Sequence, residues 1–245
     1  MSVEPEYIRI DDPFAFSCRP GITCFNQCCK DVNQFLYPYD IVRLKNHLGL
    51  HSMDFLRRYT VIYSGESTGL PVVSFQTSHS DGHTCPFVSD DGCSVYPNRP
   101  ASCRIFPLAR AISKSRQTGE IIEHFALIKD PICQGFNEST TITVKEYIKD
   151  QDLHEYNVQN DKMIELISAK QQIMPGVLDV SAKDKFVLAC YNVDGFRDAV
   201  LSDRLIDPDT LPGDVLESFK TDDMAVLDLG LSWIAAELFG RSFPY

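Results

Sequence analysis

The residues of this sequence with chemistry to offer are its thiols. Eight of the nine cysteines lie between Cys18 and Cys133, four of them in the run CRPGITCFNQCC that ends on the doublet Cys28-Cys29. Cys85, Cys93 and Cys103 form a second run and Cys133 closes the set, so loops far apart in sequence can deliver sulfur to one place. A deprotonated cysteine is a soft, anionic donor that suits zinc, copper(I) and iron–sulfur clusters, whereas hard ions such as magnesium prefer oxygen. The candidate metal ligands are Cys18, Cys24, Cys28, Cys29, Cys85, Cys93, Cys103 and Cys133. They exceed one tetrahedral zinc and would fill two four-thiolate sites, a cluster plus a mononuclear site, or a polynuclear arrangement with bridging sulfurs. The ninth, Cys190, sits in the helical pattern KFVLACYN and reads as a small buried hydrophobe.

Adjacent side chains in an extended segment point to opposite sides, so Cys28 and Cys29 are expected to serve different metal atoms unless the backbone bends tightly. Pro20 and Gly21 supply such bending just upstream. Arg19, Lys30 and Arg104 each follow a cysteine and would offset an anionic site and lower thiol pKa values. His79 and His83 precede Cys85 at a spacing that reaches a metal, but a solvated loop is the simpler reading, and Gly49 interrupts any helix face shared by His47 and His51. Neither pair is placed among the ligands. No Asp, Glu, Ser or Lys stands in a catalytic motif; Asp11-Asp12, Asp90-Asp91 and Asp222-Asp223 read as turn and cap chemistry, and Trp233 as core.

The elements that must position these thiols are legible in part. Pro38 suits a first helical turn, with Ile41, Leu44 and Leu48 on one face before Gly49, and Ser52 is a candidate cap for a second helix through Tyr59. Both helices are expected to pack against the cysteine-rich loops. From Val61 the pattern turns to β-branched and aromatic runs, VIY, LPVVSFQ, RIFPLARAI and EIIEHFALI, which predict a small antiparallel sheet. CPFVSDDGC carries a tight-turn signal that puts Cys85 and Cys93 at the mouth of a hairpin-like loop, and Cys103 falls near a single helical turn. Beyond Cys133 the period is helical: a capping box at Thr143 to Glu146, a long helix from about Leu153 to Pro175, starts at Ser181 and Asp194, and a last helix capped by Thr221 or Asp222 and ended by Gly240.

The fold class predicted is therefore α+β: a small antiparallel sheet and loops around a cysteine-ligated metal centre, covered by helices, with a mostly helical C-terminal half. Residues 1–140 are read as the cysteine-cluster metal-binding domain and residues 141–245 as a helical C-terminal region.

Composition bounds the function. At 245 residues and 44% hydrophobic content the chain can bury a core without disulfide staples. The N-terminal MSVEPEYIRIDD has neither the basic start nor the apolar stretch of a secretory signal, and an odd cysteine count reads as free thiolates plus a buried spare, so a cytoplasmic location is expected. No apolar stretch approaches the ~20 residues that span a bilayer. A formal charge of −11 should repel nucleic acid and anionic lipid, which leaves metal ions as expected partners, no nucleic acid, no membrane, and a protein client unspecified.

In the doublet, and more specifically in GCSVYPNRPASCRIFPL from Gly92 to Leu108, the sequence resembles the YkgJ family of cysteine-cluster proteins, a zinc- or iron-chelating domain with the eponymous pattern CxxCxxCC. The resemblance covers approximately residues 14 to 136 and implies ligand roles for Cys93 and Cys103 and, by extension, Cys85 and Cys133. The first run, Cys18-x5-Cys24-x3-Cys28-Cys29, departs from the tighter family spacing, which leaves open the ligand role that each of Cys18 and Cys24 takes. Flagellin lysine N-methylases carry a similar cysteine region.

The function expected is a cytoplasmic protein holding an iron–sulfur cluster, zinc, or both, in a structural or redox role. Iron–sulfur is preferred because structural zinc sites usually show paired CxxC knuckles and this sequence has none. One alternative is an S-adenosylmethionine-dependent protein (lysine) N-methylase-like enzyme, although the sequence contains neither a G-x-G loop nor a CxxxCxxC. Another is a thiol-based metal carrier, which would require exposed, low-pKa thiols.

Overall fold

The computed structural model describes residues 5–30, 33–77, 82–115, 117–208 and 211–241. In chain order the strands are β1 (Glu6–Ile8), β2 (Pro13–Ala15), β3 (Phe35–Leu36), β4 (Thr60–Ser64), β5 (Pro71–Phe75), β6 (Val88–Ser89), β7 (Gly92–Cys93), β8 (Leu108–Lys114), β9 (Ile121–Leu127) and β10 (Thr141–Thr143). The helices are α1 (Pro38–Leu48), α2 (Ser52–Tyr59), α3 (Ala101–Ile105), α4 (Val144–Asp150), α5 (Leu153–Ile173), α6 (Val180–Cys190), α7 (Val193–Leu201), α8 (Gly213–Thr221) and α9 (Asp223–Phe239). The protein is α+β, and it folds as two compact units that interleave along the chain: Met1–Val32 with Thr77–Tyr156, and Asn33–Gln76 with Asn157–Tyr245. Among the described residues the strands form four small antiparallel sheets, where the sequence pattern predicts one.

The first unit contains all eight grouped cysteines. Its largest sheet is the β8–β9 hairpin, closed by the Ser115 N–H on the Glu120 carbonyl at 2.8 Å, with β1 added to the far side of β9. β2 pairs with β10, setting Phe14 opposite Ile142. Phe14, Phe16, Leu108, Phe125, Leu127, Val144 and Tyr147 form the core, and the half-buried Cys133 packs against it. Phe16 meets Phe136 edge-on with ring centroids 5.3 Å apart, the arrangement that aromatic quadrupoles favour. Thr143 caps α4 in the predicted box: its hydroxyl accepts from the Glu146 N–H at 3.2 Å, and Glu146 Oε2 accepts from the Thr143 N–H at 3.0 Å.

The second unit gathers the other predicted elements. α1 starts with Pro38 in its first turn and ends at Gly49, which takes the left-handed conformation (φ 63°) that favours glycine. α2 is capped by His51 rather than Ser52: His51 Nδ1 accepts from the Met53 N–H at 3.2 Å. Ser52 is drawn away by tertiary structure, its hydroxyl donating to Asn192 Oδ1 at 2.8 Å and accepting from the Asp194 N–H at 3.0 Å. The VIY and LPVVSFQ runs become β4 and β5 of the β3–β5–β4 sheet in this unit and are separate from the β8–β9 sheet. α6 and α7 begin at the caps Asp179 and Asn192, two residues ahead of the Ser181 and Asp194 starts read from sequence. At Gly230 a Cβ would lie 2.3 Å from the Ala189 carbonyl oxygen, so α6 and α9 approach backbone to backbone. Cys190 is fully buried, as its helical context predicts, and the indole of Trp233 packs against Phe196 with centroids 5.6 Å apart.

One polar feature sits inside this unit. Lys45 Nζ lies 3.0 Å from Asp194 Oδ1 and 2.9 Å from Asp223 Oδ2, with the Lys45 side chain only 6% exposed. Arg197 bonds the same two carboxylates, at 3.0 Å to Asp194. Two cations thus meet two anions; the Asn46 amide shares Asp223 Oδ2 with Lys45 at 2.8 Å, and the Ser52 N–H donates to Asp194 Oδ2 at 2.7 Å. Asp222, its neighbour in the Asp-Asp pair, does what the sequence predicts and caps α9 through the Met224 N–H. No helix among the described residues is long and apolar enough to cross a membrane.

Candidate metal centre

The first cysteine run is wound, not extended. Successive turns close through Phe25 N–H to Ile22 carbonyl at 3.0 Å and Gln27 N–H to Cys24 carbonyl at 2.9 Å, and Asn26 adopts φ 65° before the 3₁₀ helix Gln27–Cys29. Cys28 and Cys29 therefore share a tight turn, and their sulfurs are within hydrogen-bond reach of each other. This removes the extended geometry on which the expectation of oppositely directed side chains rested. The Asn26 amide donates to the Ser89 carbonyl at 2.9 Å and ties this turn to the β6–β7 hairpin. In that hairpin Gly92 (φ 120°) leaves room for Phe25, whose ring would stand 3.3 Å from a Cβ there.

The remaining thiols are brought in by backbone bonds. The Cys85 N–H donates to the Cys29 carbonyl at 2.8 Å, and β6–β7 pairing sets Cys93 opposite Val88. Cys103 lies in α3, the single short helix predicted around it. On the other side, the Gln134 N–H donates to Cys24 Sγ at 3.2 Å and the Ser17 N–H donates to the Gly135 carbonyl at 3.0 Å. These two bonds hold the turn carrying Cys133 against the segment carrying Cys18 and Cys24. The structure thus gathers all eight sequence-predicted thiols into one unit, with Cys18 and Cys28 exposed and the other six partly exposed.

The thiols feel one another. Burial, then the neighbouring Cys28, Cys24 and Cys133, push Cys18 up to about 11, and Arg99 opposes this. Cys29 is raised because it donates its proton to Cys28, because it is buried, and because Cys28, Cys85 and Cys103 surround it. Cys28, the acceptor of that bond, is lowered to about 7. Burial raises Cys85, Cys93 and Cys133, while backbone N–H groups work the other way: Phe87 and Val88 on Cys85, Val95 on Cys93, Gly135 on Cys133. Crowded thiols that resist deprotonation one at a time are the chemistry a bound cation relieves, since a metal takes the place of the protons.

Residues 17–134 match the family model CxxCxxCC, described as "Putative zinc- or iron-chelating domain". This stretch is a CxxCxxCC domain. No curated protein and no solved structure matches the chain. The CxxCxxCC domain carries a donor set of the right chemistry for zinc or iron: soft sulfurs, supported by N–H groups that stabilise thiolate charge. Among the described residues no three His, Cys, Asp or Glu side chains stand at the spacing of a formed metal site. The sulfurs share a neighbourhood without being closed into a ligand shell.

The cations of the CxxCxxCC domain differ from those read by adjacency. Arg19 pairs with Glu138 at 2.9 Å, and the buried Arg104 donates to the Pro97, Arg99 and Gln151 carbonyls and lies over the Tyr156 ring. The guanidinium that acts on the thiols is that of Arg99, whose charge opposes the rise of both Cys18 and Cys93 and which stacks on Tyr96 at 3.8 Å. The signal for Arg99 lay in the RP of the family-like block; the N–H donors had none, because every non-proline residue carries one. Three of those donors follow their cysteine by two positions: Phe87, Val95 and Gly135. His83 lies 3.1 Å from Thr77 through Nδ1, and His79 is outside the described residues.

Proposed function

We propose that the CxxCxxCC domain holds an iron–sulfur cluster, zinc, or both, through Cys18, Cys24, Cys28, Cys29, Cys85, Cys93, Cys103 and Cys133, in a structural or redox role in the cytoplasm. The family match supports zinc or iron chelation in general. The finer reading is carried by one observation: thiols from distant segments converge while backbone N–H groups point at their sulfurs. Such N–H···S bonds accompany thiolate-ligated metals and tune cluster potentials. A bound cluster would supply one-electron chemistry, and bound zinc a rigid tetrahedral cross-link.

The chain's own residues would do the rest. The 3₁₀ turn at Gln27–Cys29 presents two sulfurs from adjacent residues, the β6–β7 hairpin and α3 present Cys93 and Cys103, and Arg99 offsets part of the anionic charge.

Protein purified without oxygen, assayed for iron, zinc and acid-labile sulfide, tests this reading. Iron with sulfide and a visible charge-transfer spectrum is the expected result. Colourless protein with stoichiometric zinc would move the assignment to zinc, and metal-free protein that takes up neither would end it.

A further inference from the structure

We infer that the doublet divides the thiols between two adjacent four-sulfur centres: Cys18, Cys24, Cys28 and Cys133 in one, and Cys29, Cys85, Cys93 and Cys103 in the other. The inference rests on the metal-binding reading above and adds to it which sulfur goes where.

Backbone geometry draws the line first. The 133–135 turn is fastened to the first run at two points, Gln134 N–H to Cys24 Sγ at 3.2 Å and Ser17 N–H to Gly135 carbonyl at 3.0 Å. Among the described residues no backbone hydrogen bond joins it to the β6–β7 hairpin. The hairpin segment is fastened instead at the end of the run, through Cys85 N–H to Cys29 carbonyl at 2.8 Å and Asn26 to the Ser89 carbonyl at 2.9 Å. The first run is thus held from one side near Cys24 and from the other near Cys29.

The doublet sits where these two attachments meet. A 3₁₀ helix turns about 120° per residue, so consecutive side chains leave it in clearly different directions while their sulfurs stay close. Cys28 and Cys29 are in such a turn. The thiol neighbours follow the same division: Cys18 and Cys133 each feel Cys24 and Cys28, whereas Cys29 feels Cys85 and Cys103 besides its partner. Two couplings cross the line: Cys28 and Cys29 bond each other directly, as adjacent residues at the seam of the division must, and Cys85 also feels Cys28, the last and weakest of the influences on Cys85, behind Cys93. Arg99 reaches one thiol of each set, Cys18 and Cys93, as a cation between two anionic centres would. Four thiolates complete a tetrahedral zinc or anchor a cluster, so the division leaves no ligand over.

The full-length chain tests this through paired substitutions read by metal content. Cys24→Ser with Cys133→Ser, and Cys85→Ser with Cys93→Ser, each remove two ligands from one set and should each retain one of the two centres, about half the wild-type metal. Cys24→Ser with Cys85→Ser takes one ligand from each set and should lose both. Total loss in all three variants, or half retention in the crossed pair, overturns the division. Because a variant that fails to fold would also lose metal, cobalt(II) titration of the stripped wild-type chain gives an independent readout. Two tetrahedral, thiolate-ligated equivalents support two centres, and an endpoint at one, or the spectrum of a single sulfur-bridged assembly, overturns them. A wild-type chain that binds neither its own metal nor cobalt(II) refutes metal binding itself, a result distinct from a wrong division.

Discussion

The two units close on themselves by different means. In the Asn33–Gln76 and Asn157–Tyr245 unit, buried aromatic and aliphatic side chains such as Phe55, Phe186, Phe196 and Leu231 surround a charge network in which two cations satisfy two carboxylates. In the cysteine-bearing unit one core cluster lies in the β1–β9–β8 and β10–β2 region with α4, and the stretches 17–30 and 82–104, which bury Phe87 and Val95, wind through turns, a two-residue hairpin, short 3₁₀ turns and one five-residue helix. Their crowded groups are thiols held in partial exposure. One unit sets its largely buried carboxylates against its own cations, and the other crowds soft thiols whose burial and mutual repulsion raise several of them. Under the proposed metal-binding reading, the second arrangement is the one an ion would stabilise.

The strongest way to break this comparison is to remove the ion. Stripping metal should cost the CxxCxxCC domain on the order of 10 kcal/mol, the scale of structural thiolate sites. Trypsin should then cut at Lys30 and Arg104, since proline follows both Arg19 and Arg99, while most of the helical circular dichroism survives. Loss of all helical signal together with the metal would show that the units are not independent in stability.

Lys45→Met probes the other side. Leaving Asp194 and Asp223 buried with one cation fewer should cost about 3 kcal/mol in urea unfolding, the lower end for breaking a buried ion pair, and leave metal content unchanged.

Acid sharpens the same point. Burial pushes Asp194 and Asp223 up, but bonds from Ser52 and Lys45 to Asp194, and from Lys45, Arg197 and Asn46 to Asp223, more than offset it, so both carboxyls sit below their ordinary value. A folded pKa below the unfolded one gives stability that is complete above about 4 and is lost as pH falls through the folded values. Helical circular dichroism should therefore fall only at strongly acid pH, and Lys45→Met should move that midpoint upward. The smallest effect is expected from Thr143→Ala, which removes the cap of α4 at a cost of about 1 kcal/mol in thermal or urea unfolding.

Local chemistry was readable in the sequence. Pro38 and Gly49 bound α1, Thr143 and Glu146 open α4, Asp222 and Gly240 bound α9, and the Asp-Asp-Gly turn makes a hairpin, because each of these signals acts within a few residues. The thiols themselves stood out by residue type and spacing. What escaped is long-range. Nothing near Ser52 tells that its hydroxyl answers Asn192, which passes the capping role to His51. Nothing near Val61 tells that its strand belongs with β3 and β5 rather than with β8 and β9. Arg104 looks like a thiol partner by adjacency, yet its guanidinium meets the Pro97, Arg99 and Gln151 carbonyls, and Arg99, four residues from the nearest cysteine in sequence, takes the place by the sulfurs.

The interleaving of the units bears on biosynthesis. A ribosome delivers Cys18 to Cys29 first, then the whole of Asn33–Gln76, which has no complete unit to join until the C-terminal helices emerge, and only afterwards Cys85 to Cys133. The early thiols thus leave the exit tunnel long before their counterparts, and a nascent chain displays them to oxidants and stray ions while the intervening residues are made. On the proposed ligand set, loading would be a late event, completed only once translation has passed Cys133.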